Sequence, residues 1–213
     1  MEKRPNIKLT LDQGLAVVND LCPDRSSRAL ADILGVRRAY LLRRSVDARR
    51  KSDVHFVVTA GIGDGEGAPQ AVRPIEQRPL PECRCEDVRP VVVGTGPAGL
   101  FAALELAEAG LCPLVIERGV PVEERVADVE HYHRTRVLDV ESNVQFGEGG
   151  AGAFSDGKLT TGTGDARIRK VLEELVKAGA PEEILTDAKP HIGTDRLPGV
   201  VRRIREEIIA LGG

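Results

Sequence analysis

Aromatic residues are scarce in this chain of 213 residues, which has no tryptophan, two tyrosines and four phenylalanines. Its hydrophobic core must therefore be built from aliphatic side chains. Long hydrophobic runs are also missing. Apolar stretches such as Val91–Val93 and Leu114–Ile116 fall far short of the roughly 20 residues that span a bilayer. The charged N-terminus lacks the apolar region of a secretory signal, so we expect a cytoplasmic protein without membrane contact.

Strong net charge of either sign is likewise absent, because 30 Lys and Arg residues are balanced by 33 Asp and Glu residues. A net charge of −3 does not favour nucleic acid as a partner of the whole chain. The proportions of hydrophobic and charged residues, 41% and 30%, are typical of a globular protein.

Cysteine pairs with the spacing of a metal or redox site are missing too. Cys83 and Cys85 are separated by one residue rather than two, and Cys22 and Cys112 stand alone. We therefore predict reduced structural thiols and no metal site. Neither a Ser–His–Asp pattern nor a pair of carboxylates can be identified, so the catalytic residues remain unknown.

Residues 1–88 are predicted to form a small α+β domain. Residues 7–9 favour a short strand, and Asp12 could cap a helix that continues to Cys22. Ser26 or Ser27 is expected to cap a second helix, Arg28–Leu34, which Gly35 ends.

Two further strands, Ala39–Asp47 and residues 53–60, are predicted to form a hairpin. The hairpin region is basic, which favours a solvated sheet edge over an RNA, an acidic partner or the flanking domain as its contact. Glycines and prolines across residues 61–90 predict a linker. The basic residues are Arg37, Arg38, Arg43, Arg44, Arg49, Arg50 and Lys51.

Residues 89–213 change to a strand–turn–helix–strand pattern. Val91–Val93 is a continuous β-branched run, as expected of a parallel strand buried on both faces. A glycine turn leads into a helix over residues 100–109, and Leu114–Ile116 is the second strand. Further helices are predicted at Val122–Thr135 and, in the last part of the chain, over residues 166–178 and 199–211.

The glycine turn matches the dinucleotide-binding fingerprint of a Rossmann-type α/β domain. Gly94 permits the tight turn, Gly96 lets a pyrophosphate approach the backbone, and Gly99 lets the helix pack on the sheet. Amides at the start of the helix then face the phosphates. Glu117, at the end of the next strand, can accept hydrogen bonds from a ribose and would repel the 2′-phosphate of NADP. The fingerprint alone serves FAD and NAD equally.

A resemblance favours FAD. Residues 91–100 and 115–119 are similar to the opening of the glutathione-reductase-type FAD-binding proteins. Residues 142–152, 154–159 and 189–196 resemble motifs of a bacterial family of largely uncharacterised FAD-dependent dehydrogenases, whose members are longer and whose flavin domain also follows a small N-terminal domain. The resemblance thus implies an FAD-binding domain over residues 89–213 that is truncated at its C-terminus.

A second glycine-rich loop, over residues 146–164, has two interpretations. It could be a mobile surface loop, or its backbone could lie against a flat cofactor, since glycine permits close approach. Loops at this place in related flavoproteins pack on the flavin, and a cation such as Lys158 could stabilise its reduced, anionic form. Arg125 could reach the pyrophosphate or be a solvated helix-surface arginine. The predicted cofactor-binding residues are Gly94, Gly96, Pro97, Ala98, Gly99, Glu117, Arg118, Arg125, Gly149, Gly150, Ser155 and Lys158.

Two functions are consistent with these motifs. The complete protein could be a flavin-dependent oxidoreductase of unknown substrate, with NADH or NADPH as a reductant, in which case this fragment alone is expected to be inactive. The alternative is a flavin-binding module without turnover, used for redox sensing or structure, whose N-terminal domain binds a partner. A bound yellow chromophore that NADH or NADPH bleaches would distinguish the first function from the second.

Overall fold

The computed structural model describes residues 1–63 and 88–213. The described residues divide into two compact units, and the chain passes from one unit to the other more than once. The first unit contains residues 1–63, Gly164–Lys170 and Glu182–Pro190, and the second contains residues 88–163, Val171–Pro181 and His191–Gly213. A single domain boundary near residue 88 stays a prediction, and most of the predicted linker, with Cys83 and Cys85, lies outside the described residues.

The first unit is built on an antiparallel sheet. Its three described strands are β1 (Glu2–Leu9), β2 (Ala39–Asp47) and β3 (His55–Ile62), in the spatial order β1-β3-β2. Helices α1 (Leu11–Asn19) and α2 (Arg28–Leu34) lie between β1 and β2 in the chain. The hairpin prediction is confirmed, although β3 continues through Gly61 and Ile62, where the sequence predicted a break.

Side chains at the helix ends set the boundaries of α1 and α2. Thr10, not Asp12 as predicted, caps α1, and it forms a capping box with Gln13. Asp12 instead lies in the first turn, where its negative charge interacts favourably with the helix dipole. Ser27 caps α2 by accepting a hydrogen bond from the Leu30 amide at 3.1 Å, and Gly35 ends the helix in the left-handed conformation, both as predicted.

The hairpin's charges are partly neutralised within the first unit. Arg44 forms an ion pair with Asp187, and Arg49 with Asp47. Residues 186–188 also pair with the backbone of β2, because the Arg44 amide donates to the Thr186 carbonyl at 2.8 Å and the Ala188 amide donates to the Arg44 carbonyl at 2.9 Å. A segment distant in sequence therefore extends the sheet at β2. The buried core beneath the sheet consists of Leu9, Val17, Leu30, Ala31, Ala39, Leu41, Val58 and Ala60.

The second unit contains the predicted strand–turn–helix–strand. Strand β4 (Val91–Val93) pairs in parallel with β5 (Leu114–Ile116), and α3 (Pro97–Glu108) connects them. Helix α4 (Val122–Thr135) has the predicted bounds. It also contains the 3-10 helix Ala151–Phe154 and helix α6 (Leu197–Ala210). Helix α5 (Ile168–Lys177) begins in the first unit and ends in the second. A second 3-10 helix, Glu182–Leu185, belongs to the first unit.

The prediction that β4 is buried on both faces is wrong for the described residues. Val91 and Val93 are 58% and 80% exposed, and Leu114 and Ile116 beside them on β5 are 45% and 49% exposed. These four side chains share one face, because alternate residues of a strand point the same way and the register pairs Val91 with Leu114. The opposite face packs on α3, so only that side of the sheet is covered by the described residues.

Two expectations from the composition concern a membrane span and the cysteines. Within the described residues, no helix is long and apolar enough to cross a membrane. The expectation of reduced thiols is wrong for Cys112, which is disulfide-bonded, whereas Cys22 is free. Sequence spacing could not reveal this, since disulfide formation depends on the distance and direction of two Cβ atoms in space.

Candidate functional site

The glycine turn joins the end of β4 to the start of α3. Gly94 has a φ of 94°, which an L side chain rarely adopts. A Cβ on Gly99 would collide with the Gly94 carbonyl oxygen, so this glycine lets the helix start close to the strand. Around Gly96, in contrast, no described atom lies within 4 Å of a Cβ position. The space over Gly96 is open.

The N-terminus of α3 is left without a side-chain cap. Gly96 is the N-cap residue and supplies none, Pro97 follows at the first helical position, and the first turn carries no acidic residue. Pro97 has no N–H group, so it can contribute contact only. The amides of Ala98 and Gly99 are thus the first that could bind an anion at this positive end of the helix.

Glu117 connects the end of β5 to the glycine turn. Its Oε2 accepts hydrogen bonds from the Thr95 amide at 2.7 Å and from the Thr95 hydroxyl at 2.8 Å. Its Oε1 accepts one from the Gly119 amide at 3.1 Å. The predicted proximity of this carboxylate to the turn is therefore present, together with the parallel pairing of β4 and β5. Thr95 is only 8% exposed, and the sequence analysis did not identify it as a site residue.

The hydrogen bonds to Glu117 determine its ionisation. Burial raises the pKa of this carboxyl, but the amide and hydroxyl of Thr95 and the amides of Gly119 and Arg118 together lower it below its ordinary value. Glu117 is consequently a carboxylate at neutral pH. It therefore carries a negative charge beside the glycine turn.

A cavity of about 470 Å³ adjoins this carboxylate. Its lining includes Glu117, Thr95 and Gly119, and also the charged side chains of Glu148 and Arg205. The rest of the wall is mostly aliphatic, a combination typical of small-molecule sites. The apolar lining residues are Leu100, Pro113, Leu114, Val115, Val120, Pro121, Ile208 and Ile209.

The second glycine-rich loop packs against the first glycine turn. The Gly149 amide donates to the Thr95 carbonyl at 2.8 Å, and a Cβ on Gly150 would lie 3.4 Å from the Cα of Gly96. Gly119 and Gly147 are closer still, because a Cβ on Gly119 would lie 2.5 Å from the Gly147 Cα. These glycines therefore permit backbone-to-backbone packing. Because residues 147–150 pack closely on neighbouring backbone, this part of the loop does not favour the interpretation as a mobile surface loop.

Arg125 lies beneath the loop, on α4. It is fully buried, so the solvated-arginine alternative is wrong. Its guanidinium donates to the carbonyls of Glu148, Gly150 (3.0 Å) and Asn143 (3.1 Å), and its Cζ lies 4.8 Å from the centre of the Phe154 ring. A direct contact with a pyrophosphate stays a prediction, since the side chain is directed at the loop backbone.

Glu148 is a buried carboxylate that the sequence analysis did not single out. Its Oε2 accepts hydrogen bonds from the Val122 amide at 2.8 Å and from Arg205 at 2.6 Å. The Val122 amide begins α4, so Glu148 acts as its cap from a distant part of the chain. Glu123 also pairs with Arg205, at 2.6 Å. Burial raises the pKa of Glu148, while the Val122 amide and Arg205 oppose that effect. The available sequence signal was a glutamate inside a glycine-rich string.

Lys158 and Ser155 lie further along the loop. The Lys158 ammonium is exposed and lies 3.2 Å from Asp156. Ser155 shapes the loop, because its hydroxyl donates to the Gly152 carbonyl at 2.8 Å and accepts from the Gly157 amide at 3.1 Å. A contact of either residue with flavin stays a prediction.

Two motifs that are distant in sequence are brought together here. Lys158 forms a backbone bridge with His191, and the Ile192 amide donates to the Gly157 carbonyl at 3.2 Å. The backbone around His191 thus joins these two motifs.

Arg118 is on the exposed side of the site. It donates to Glu141 at 2.9 Å, and its Cζ lies 4.3 Å from the centre of the Phe146 ring. Among residues 1–63 and 88–213, no cluster of His, Cys, Asp and Glu is arranged to hold a metal ion.

Comparison with known proteins agrees with this geometry. Residues 89–127, which contain the glycine turn, Glu117 and the start of α4, match the family model described as FAD binding domain. An uncharacterized protein of Clostridium beijerinckii is 46% identical over 222 residues, which cover 98% of this chain and 40% of that protein. The chain therefore spans about two fifths of the length of this curated relative. The match to an FAD-binding domain indicates FAD as the cofactor.

Proposed function

We propose that this chain is the FAD-binding part of a flavin-dependent oxidoreductase with a glutathione-reductase-type, Rossmann-like FAD domain. The observation that supports it most is the contact of Glu117 with Thr95, which places a carboxylate beside an uncapped helix N-terminus. The chain covers 40% of its relative, so substrate binding and turnover are assigned to the longer polypeptide. Bound FAD supplies the acceptor for a hydride or for electrons from the substrate.

The residues at the turn fit the diphosphate of FAD. The space over Gly96 is open, which allows the phosphates to approach the backbone. The amides of Ala98 and Gly99 then donate to phosphate oxygens, and the helix dipole adds favourable charge. No acidic side chain in the first turn of α3 opposes an anion there.

Glu117 fits the adenosine ribose. The Oε1 oxygen keeps acceptor capacity, because an ionised carboxylate offers about four lone-pair sites and Thr95 and Gly119 donate three hydrogen bonds to it. The same charge would repel a 2′-phosphate. The neighbouring cavity, with mostly aliphatic walls, is of a kind that suits the adenine ring.

Lys158 is proposed to approach the redox end of the flavin. A cation there would stabilise negative charge that the ring gains on reduction. Its weak pairing with the exposed Asp156 leaves the ammonium accessible.

The experiment is the anaerobic reduction of the purified full-length polypeptide. We expect a visible flavin absorption band that NADH or NADPH bleaches and that air restores. The variant Glu130→Gln removes an exposed carboxylate on α4 and serves as a control that should behave like wild type. A protein that binds FAD but is reduced by dithionite alone would contradict the oxidoreductase function.

A further inference from the structure

The guanidinium of Arg125 has surroundings that are unusual for a buried cation. Its side chain is fully buried, and no carboxylate of residues 1–63 or 88–213 forms an ion pair with it. Three backbone carbonyls of the glycine-rich loop accept its hydrogen bonds instead. A buried charge is tolerated only when such groups compensate its lost hydration, so the loop conformation and the arginine depend on each other.

One of those carbonyls belongs to the peptide that touches the glycine turn. In a trans peptide the carbonyl and the following N–H point in opposite directions. Because Arg125 holds the Glu148 carbonyl, the Gly149 amide is directed away from α4. That amide donates to the Thr95 carbonyl at 2.8 Å. The peptide between residues 148 and 149 thus connects the arginine to the turn.

The connection continues to the carboxylate at the end of β5. Thr95 offers its carbonyl to Gly149 and its amide and hydroxyl to Glu117. Gly147 adds a steric constraint, because a Cβ there would collide with the Arg125 side chain. The loop therefore fits closely over the arginine, and a change at Arg125 reaches Thr95 through a single peptide.

We infer that Arg125 is a positioning residue of the FAD site, which acts through the loop backbone to hold Thr95, and with it Glu117 and the glycine turn, ready for the cofactor. This inference rests on the proposed function only in that FAD occupies the turn. It assigns to Arg125 no contact with FAD itself. The expected consequence is that FAD affinity depends on the guanidinium group rather than on positive charge alone.

The test compares Arg125→Ala and Arg125→Lys in the full-length polypeptide. FAD affinity is measured by flavin fluorescence, with and without added guanidinium ions, and folding of the apo-protein by circular dichroism. We expect Arg125→Ala to weaken FAD binding by about tenfold or more, since three backbone carbonyls, of which that of Glu148 is buried, each lose a donor. Guanidinium ions should restore most of the affinity. Arg125→Lys should fold and bind FAD with intermediate affinity, because an ammonium lacks the planar fork of donors.

The control is Arg134→Ala, which removes an exposed arginine of the same helix whose contact is with His131. It should leave FAD affinity unchanged. Wild-type affinity in Arg125→Ala, or a loss that guanidinium ions do not reverse in a folded apo-protein, would overturn the inference. Failure of reduction by every nicotinamide in a wild-type protein that binds FAD would instead count against the oxidoreductase function and leave the inference intact.

Discussion

The carboxylate of Glu117 accepts a hydrogen bond from the backbone amide of Thr95 at 2.7 Å, although 22 residues separate them in the chain. The contact joins the ends of β4 and β5 at the edge where a parallel sheet places its ligands. The second glycine-rich loop then holds Thr95 from the other side through Gly149. The binding geometry of the turn is therefore set by three separate segments.

Replacing Glu117 by Gln should weaken FAD binding by about tenfold or more. The variant keeps one acceptor oxygen but loses the charge, and hydrogen bonds to charged groups contribute about 1.5–3 kcal/mol. Fluorescence titration of the full-length polypeptide measures the change, with Glu130→Gln as the exposed control. Equal affinity in Glu117→Gln and wild type would show that this carboxylate does not bind the ribose.

Acid should remove a part of the stability that depends on Glu117. Its pKa is lower in the folded protein than the ordinary 4.5, so its stabilising contribution is complete above that value and disappears as pH falls through the folded pKa. The difference in unfolding free energy between wild type and Glu117→Gln should therefore be constant near neutral pH and shrink below about pH 4. Denaturant unfolding of the apo-protein at several pH values checks this. A difference that grows on acidification would contradict the assigned hydrogen bonds.

Gly119→Ala should disturb the contact between the two glycine-rich segments. The new Cβ would lie 2.5 Å from the Gly147 Cα, and neither backbone can move aside cheaply. We expect a loss of about 1–3 kcal/mol in unfolding free energy, as in other overpacked sites, together with weaker FAD binding. Gly152→Ala is the matched control, because nothing lies within 4 Å of its Cβ position and its φ is not positive. Similar losses in both variants would show that packing at Gly119 is not responsible.

Arg205→Met should destabilise the second unit by leaving the buried Glu148 carboxylate without its cation. Breaking a buried ion pair costs about 3–5 kcal/mol of unfolding free energy. Because Arg205 is partly exposed, we expect a loss of about 3 kcal/mol or less. The double variant Glu148→Gln/Arg205→Met should lose less than the sum of the single losses. Arg202→Met, which removes an exposed pair with Glu206, should cost at most about 1 kcal/mol. Additive losses at Glu148 and Arg205 would refute the coupling.

Asp187→Ala should loosen the segment that extends the first unit's sheet. The ion pair with Arg44 is partly buried, and its loss should reduce protection of the Ala188 amide, which donates to the Arg44 carbonyl. Hydrogen exchange measures that protection amide by amide. Asp47→Ala is a suitable comparison, because its partner Arg49 is highly exposed. Unchanged exchange at Ala188 would mean that backbone pairing alone holds the segment.

The sequence by itself determined the local elements of the turn. Helix α4 has the predicted bounds, and Gly35 ends α2 because only a residue tolerant of positive φ fits there. The strand, glycine turn and second strand were likewise predicted, since each depends on neighbouring residues. FAD was chosen over NAD by resemblance, because the fingerprint physics is the same for both cofactors.

Only the tertiary structure decided which distant groups meet. For a charged side chain on a helix, such as Arg125, the sequence left a pyrophosphate contact and a solvated position equally open, because the loop that covers it is distant in sequence. The burial of Glu148, the pairing of Arg44 with Asp187 and the exposure of Val93 likewise depend on segments far away in sequence. Local periodicity carries information on backbone conformation, whereas burial and ion pairing are properties of the space between elements, which only the folded chain defines.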